Sequence, residues 1–238
     1  MAETAITQVR YDRFRRTTAK RLTESVITKP QVTLHRRAEL TALESALGPA
    51  RSADPDSGVG LTAALLAAVA RAVRASRING TVTDRTIDLH TGVHLGVAVD
   101  VAGALVVPVI RDADRLSVAG IGSELRRLSE LARAGRLRME DIADATFTVS
   151  SLGALGVEFF SPIVNPPQLA ILGVGAVRSE LALVDDQVVA VRRIGLSLSF
   201  DHAATDGADA ARVLDRICRG VEAADDLLRA GNTGNSTD

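Results

Sequence analysis

One stretch constrains this chain more than any other: Leu196-Ser-Leu-Ser-Phe-Asp-His202-Ala-Ala-Thr-Asp206-Gly207-Ala-Asp-Ala-Ala-Arg212. Apolar and polar residues alternate up to Phe200, the period of a half-buried strand. From Gly207 the spacing becomes helical. A strand must therefore stop at His202, with a carboxylate four residues later and a helix at once behind it. An imidazole delivered by a rigid strand end, with an acid group close by, suits proton transfer. A lone histidine at a strand end is more often structural, so the reading depends on other segments.

The first of these is Thr146-Phe-Thr-Val-Ser150-Ser151-Leu-Gly153-Ala-Leu-Gly156, continuing to Ser161-Pro-Ile-Val-Asn165-Pro-Pro167. The second is Gly96-Val-Ala-Val-Asp100, followed by Ala104-Leu-Val-Val-Pro108-Val-Ile-Arg-Asp112. With the His202 stretch they resemble the catalytic domain of the dihydrolipoyl acyltransferase (E2) family of 2-oxo acid dehydrogenase complexes. That family carries an Asp-His-Arg-x-x-Asp-Gly signature and shares its fold with the chloramphenicol acetyltransferases. The resemblance runs from about residue 13 to about residue 228. It implies an α/β fold, an α+β two-layer sandwich of a mixed sheet with flanking helices, assembled as a homotrimer or a larger cage.

The implied chemistry is acyl transfer from a thioester, usually acetyl-CoA, with the acyl-CoA as co-substrate and nothing bound covalently. His202 would be the general base. Ser150 matches the serine that hydrogen-bonds the tetrahedral oxyanion, and Ser151 is the adjacent alternative. Because a strand alternates sides, only one of the two can face the site. Asp206 would form an ion pair with an N-terminal arginine, Arg15 or alternatively Arg16, although helix N-capping is an equally good reading. Gly207 would permit a tight exit into the helix. The resemblance also implies that the histidine of one subunit faces the serine of its neighbour.

Two departures from the family pattern shape the expected function. Ala203 stands where E2 enzymes carry arginine after the histidine, and chloramphenicol acetyltransferases commonly have a small residue there. The chain ends in a polar 230–238 segment instead of an apolar tail that would build a cage. No lipoyl module is legible, since neither Lys20 nor Lys29 sits in a hairpin-tip context. The expectation is a stand-alone O-acyltransferase that acetylates a hydroxyl of a small natural-product (tetronate-type) intermediate. The alternatives are an E2 core lacking its lipoyl and partner-binding domains, and an inactive scaffold homologue.

Composition narrows the rest. A net charge of -1 over 238 residues gives no bulk pull toward nucleic acid or an anionic membrane. The Ala-rich run at 61–75 is interrupted by Arg71 and Arg74, and no run approaches the roughly 18 apolar residues that span a bilayer. One cysteine, Cys218, excludes an internal disulfide and fits a reducing cytoplasm. His35, His90 and His94 lack metal-site spacing. The basic run at 13–21 reads as a solvated helix face before a CoA phosphate site. Expected elements are helices at 13–26, 39–47, 63–76 (capped by Thr62), 117–134 and 207–229. Strands are expected at 32–37, 146–150, 169–176, 188–193 and 195–201, and a strand pair or edge at 81–88. A hairpin is expected around 100–103 and an exposed loop at 48–60. An arm at 1–12 and a disordered tail at 230–238 would flank the catalytic domain at 13–229.

Overall fold

In the computed structural model, residues 6–54, 57–83, 86–101 and 104–229 are described. Residues 1–5 of the expected arm, the tip of the expected hairpin at 102–103 and the expected tail at 230–238 lie outside them.

A six-stranded mixed sheet organises the molecule, in the order β1-β10-β9-β8-β4-β7. Its strands are β1 (Gln31–Glu39), β4 (Leu95–Val97), β7 (Val109–Ile110), β8 (Phe147–Ser151), β9 (Ala170–Val184) and β10 (Gln187–Asp201). The pairs β8·β9 and β4·β8 are parallel and the others antiparallel. Two small hairpins stand apart, β2 (Gly80–Thr83) with β3 (Thr86–Leu89) and β5 (Val99–Val101) with β6 (Ala104–Val106).

The helices are α1 (Arg13–Thr28), α2 (Thr41–Ala53), α3 (Leu61–Val73), α4 (Val118–Arg133), α5 (Met139–Ile142), α6 (Gly207–Glu222) and α7 (Ala224–Arg229). Alternation assigns one sheet face to the core. Leu34, Phe147, Val149, Leu172, Leu196, Leu198 and Phe200 pack there with Ala64, Val69, Leu214 and Ile217 of α3 and α6. With 3% aromatic residues, the interior is built mostly from aliphatic side chains. An ion pair from Arg36 to Asp215 ties β1 to α6.

The opposite face is polar. Thr33 and Ser199 share a hydrogen bond of 2.8 Å, His35 Nδ1 and Ser197 lie 2.9 Å apart, and Thr148 donates to Gln168 at 2.7 Å. The parallel β8–β9 pair requires a crossover, and residues 157–165 make it over this polar face. They come so close that a side chain on Gly175 or Gly195 would collide with the Glu158 carbonyl. Phe159 is held there by His35, edge-on at 5.4 Å, and by the Arg37 guanidinium 5.0 Å above its ring.

Several boundaries differ from expectation. α2 continues through Pro49 to Ala53, where a loop was expected. Its last turn still closes, with the Asp54 amide donating to Ala50. Gly60, in extended conformation, and not Thr62, precedes α3. The two final strands are one, β10, bent by a bulge between Ile194 and Leu196. The terminal helix breaks at Ala223 into α6 and α7. Ser117 caps α4 as expected, accepting from the Gly120 amide at 3.1 Å.

Candidate active site

β10 delivers His202 to an exposed turn. Its backbone amide donates to Pro30 at 2.9 Å, and its ring lies 5.7 Å from that of Phe200, tilted by 35°. The imidazole makes no hydrogen bond within the chain among the described residues, so both ring nitrogens are open to a reactant. Nε2 lies 4.0 Å from where a Cβ on Gly207 would sit. Gly207 has an ordinary negative φ, so its contribution is the open space beside the ring and not a special turn.

The strand before the turn ends in a buried ion pair. Lys29 Nζ is 3.1 Å from Asp201 Oδ2, with side chains 7% and 6% exposed. Asp201 Oδ1 accepts from the Ala203 amide at 3.0 Å, and its carbonyl accepts from Ala204 and Thr205 at 3.1 Å each.

The expected contact of Asp206 with Arg15 or Arg16 is not formed within the chain among the described residues. Asp206 is exposed at the head of α6 and its side chain caps nothing. Arg15 donates its backbone amide to Asp12 at 2.7 Å, and Arg16 reaches the Tyr11 carbonyl at 3.1 Å. This end of α1 is a solvated face, and the buried carboxylate beside the histidine is Asp201.

Ser150 and Ser151 point to opposite faces of β8. Ser151 shares the helix side with Val149, while Ser150 shares the polar side with Thr148. Ser150 pairs in register with Gly173, and a side chain at Gly173 would come within 2.9 Å of Phe160. The half-buried Ser150 hydroxyl has no partner within the chain among the described residues, whereas Ser151 accepts weakly from the Gly153 amide at 3.4 Å. The histidines at 35, 90 and 94 are engaged in hydrogen bonds, with Ser197, Thr81 and the Asp112 amide.

Register separates the two candidate catalytic groups. Ser150 sits opposite Gly173, while the Asp201 amide, one residue before His202, donates to Leu169. Five residues along the strand and two strands across amount to about 19 Å between backbones. One chain therefore does not bring Ser150 and His202 together.

Two cavities went unnoticed in the sequence. An open one of about 510 Å³ lies between the N-terminus of α3 and α4, lined by Gly60, Thr62, Leu125, Arg126, Ser129 and Arg133 among others. A narrow, mainly apolar one of about 60 Å³ runs between α3 and the sheet, past Leu65, Val97 and Val149 to Ser151. Thr62 lines both. The signal for the first was the placement of Arg126, Ser129 and Arg133 on one face of α4.

Residues 3–229 match the family model of the 2-oxoacid dehydrogenase acyltransferase catalytic domain. The chain belongs to that family. It is 38% identical over 210 residues to the dihydrolipoyllysine-residue acetyltransferase component of the acetoin cleaving system of Bacillus subtilis, covering 84% of this chain and 51% of that protein. Among solved structures it resembles the dihydrolipoamide acetyltransferase (E2p) of Azotobacter vinelandii, at 32% identity and TM-score 0.86 over 93% of this chain and 92% of that one. It also resembles the cubic core of a pyruvate dehydrogenase multienzyme complex, at 32% identity and TM-score 0.85 over 91% of each. The chain spans about half the length of the curated relatives it matches. As an acyltransferase-family domain it bears out the mixed-sheet, helix-flanked fold expected from its motifs. No helix among the described residues is long and apolar enough to cross a membrane.

Proposed function

We propose that this domain transfers an acetyl group between CoA and a dihydrolipoyl thiol, as an E2 core. The observation that carries the reading is the presence, in a member of this family, of two polar groups with no hydrogen-bond partner among the described residues, the His202 imidazole and the Ser150 hydroxyl. The relatives that span most of the chain are dihydrolipoyl acetyltransferases. They favour the thiol acceptor over the hydroxyl of a tetronate-type intermediate expected from Ala203 and the polar tail.

In the step itself, His202 takes the proton of the attacking thiol as its sulfur bonds to the thioester carbonyl carbon. The carbonyl oxygen gains charge and is met by the Ser150 hydroxyl. The carbon–sulfur bond to the leaving thiol then breaks, and that thiol takes the proton back from the imidazole.

CoA carries phosphates at one end and a slim arm at the other. The open cavity between α3 and α4 suits the phosphates, with the α3 N-terminus and the guanidinium groups on α4 at its rim. The separation of about 19 Å within one chain supports a site completed by a second protomer, in a trimer that can build a larger core. The exposed Leu181, Leu183 and Val188 on the projecting end of the β9–β10 hairpin are apolar surface that such a neighbour would cover.

The test is isotope-labelled acetyl-CoA offered with dihydrolipoamide and, separately, with small alcohols. Rapid formation of S-acetyl-dihydrolipoamide is the expected result. Transfer to the alcohols alone would restore the hydroxyl-acceptor reading, and transfer to neither would favour a scaffold role.

A further inference from the structure

We propose that the Lys29–Asp201 ion pair holds His202 in its working orientation, with Lys29 as a positioning residue that never touches substrate. This rests on the reading of His202 as the general base. Among the described residues no carboxylate grips the imidazole, and Asp206 stands exposed with no partner among them. The direction of the ring is therefore set by the backbone that carries it, and by Phe200 against one side.

That backbone is organised around Asp201. Its Oδ1 holds the Ala203 amide, its Oδ2 holds Lys29, and its carbonyl holds the amides of Ala204 and Thr205. Lys29 is the residue before Pro30, whose carbonyl receives the His202 amide. The ion pair and the His202 amide bond thus fasten the same two-residue step, from 29–30 on one side to 201–202 on the other. Burying both charges costs solvation that Coulomb attraction only partly offsets. The pair is accordingly better explained by the geometry it fixes than by stability. A lysine cut back to a neutral chain would leave the Asp201 carboxylate buried without a cation, free to seek solvent and to take the turn with it.

The experiment uses the full chain with Lys29→Met, Lys29→Arg and the neutral pair Lys29→Met/Asp201→Asn. The last removes both charges, so a folded protein is available even where Lys29→Met alone does not fold. Two readouts are taken, acetyl transfer to dihydrolipoamide and the ring resonances of 15N-labelled histidine. The chain has four histidines, and His202 is assigned through His202→Gln. In Lys29→Met and the neutral pair we expect kcat to fall by roughly ten-fold or more, with both KM values within about two-fold. The His202 ring signals should shift or broaden while those of the other three hold, and Lys29→Arg should recover most of the rate. Wild-type kcat in folded Lys29→Met or in the folded neutral pair, or unchanged His202 ring signals in either, would overturn the proposal. A wild-type protein that transfers no acetyl group would instead remove the functional reading, and the ring resonances alone would then decide whether Lys29 positions His202.

Discussion

Ser150 and His202 lie on the same sheet but five residues out of register, with β9 between their strands. At about 19 Å apart, they cannot act on one thioester from one chain. A site shared between protomers predicts complementation. Co-expressed His202→Ala and Ser150→Ala chains, each inactive as a pure assembly, should together recover about a quarter of wild-type activity. That is the share of interfaces at which an intact histidine meets an intact serine by random assortment in a heterologous ring. Activity per site in purified mixed assemblies measures it, and no recovery would place the whole site within one chain.

The two serines make a second prediction, because they leave β8 on opposite faces. Ser150→Ala should lower kcat by about 10²- to 10³-fold, the usual loss for one oxyanion donor, with KM little changed. Ser151→Ala should leave kcat within about two-fold. Steady-state kinetics on both variants separates them. Equal losses would mean that strand alternation does not govern the site.

Arg133 borders the open cavity from the exposed face of α4. Arg133→Ala should raise KM for acetyl-CoA about ten-fold, the weight of one charge-assisted hydrogen bond. Acetyl-pantetheine, which has the arm but not the nucleotide phosphates, should show no such change. Comparing the two donors in both proteins is the measurement.

Gly175→Ala and Gly195→Ala each force a methyl group into the Glu158 carbonyl. Backbone resists such intrusion, and overpacking of this kind costs about 1–3 kcal/mol. Both variants should show lower denaturation midpoints, and lower activity as well, since the same crossover passes Gly173 beside Ser150.

Asp215 titrates below the usual carboxylate range because Arg36 hydrogen-bonds it, with Arg219 adding charge. A carboxyl depressed in the folded state stabilises above its unfolded value, near pH 4, and that contribution fades as pH falls through the lower folded value. Asp215→Asn should therefore be less stable than wild type at neutral pH, and the difference should shrink as pH falls below the ordinary Asp value. Urea titrations across that range give the sign.

Local periodicity made much of this legible. The change from alternation to helical spacing marked the turn at His202, and the Phe147–Ser151 alternation put one serine on each face. Ser117 announced α4 because a capping hydroxyl acts on its own neighbours. What escaped depends on distant partners. Ile194 was the expected gap between two strands, but its pairing with Ala38 of β1 and Val177 of β9 carries the chain through, with a bulge at Gly195. Pro49 suggested a loop, although losing one amide does not end a helix that tertiary packing supports. Lys29 and Asp201 are 172 residues apart, and only the β1–β10 register brings them together. The arginine expected to pair with Asp206 failed for the same reason, since nothing local says which acid a distant cation will find.

Beyond Glu39 opposite Arg193 and Ser151 opposite Val174, the β9–β10 hairpin runs on with no third strand on either side among the described residues. That ribbon has two open edges and exposed leucines at 181 and 183, the makings of a template for unwanted sheet stacking. Asp185 and Asp186 at its tip supply charge against such growth. For a lone protomer dilution is thus a hazard distinct from heat, and how long a preparation keeps will depend on how soon each ribbon is shielded from its own kind.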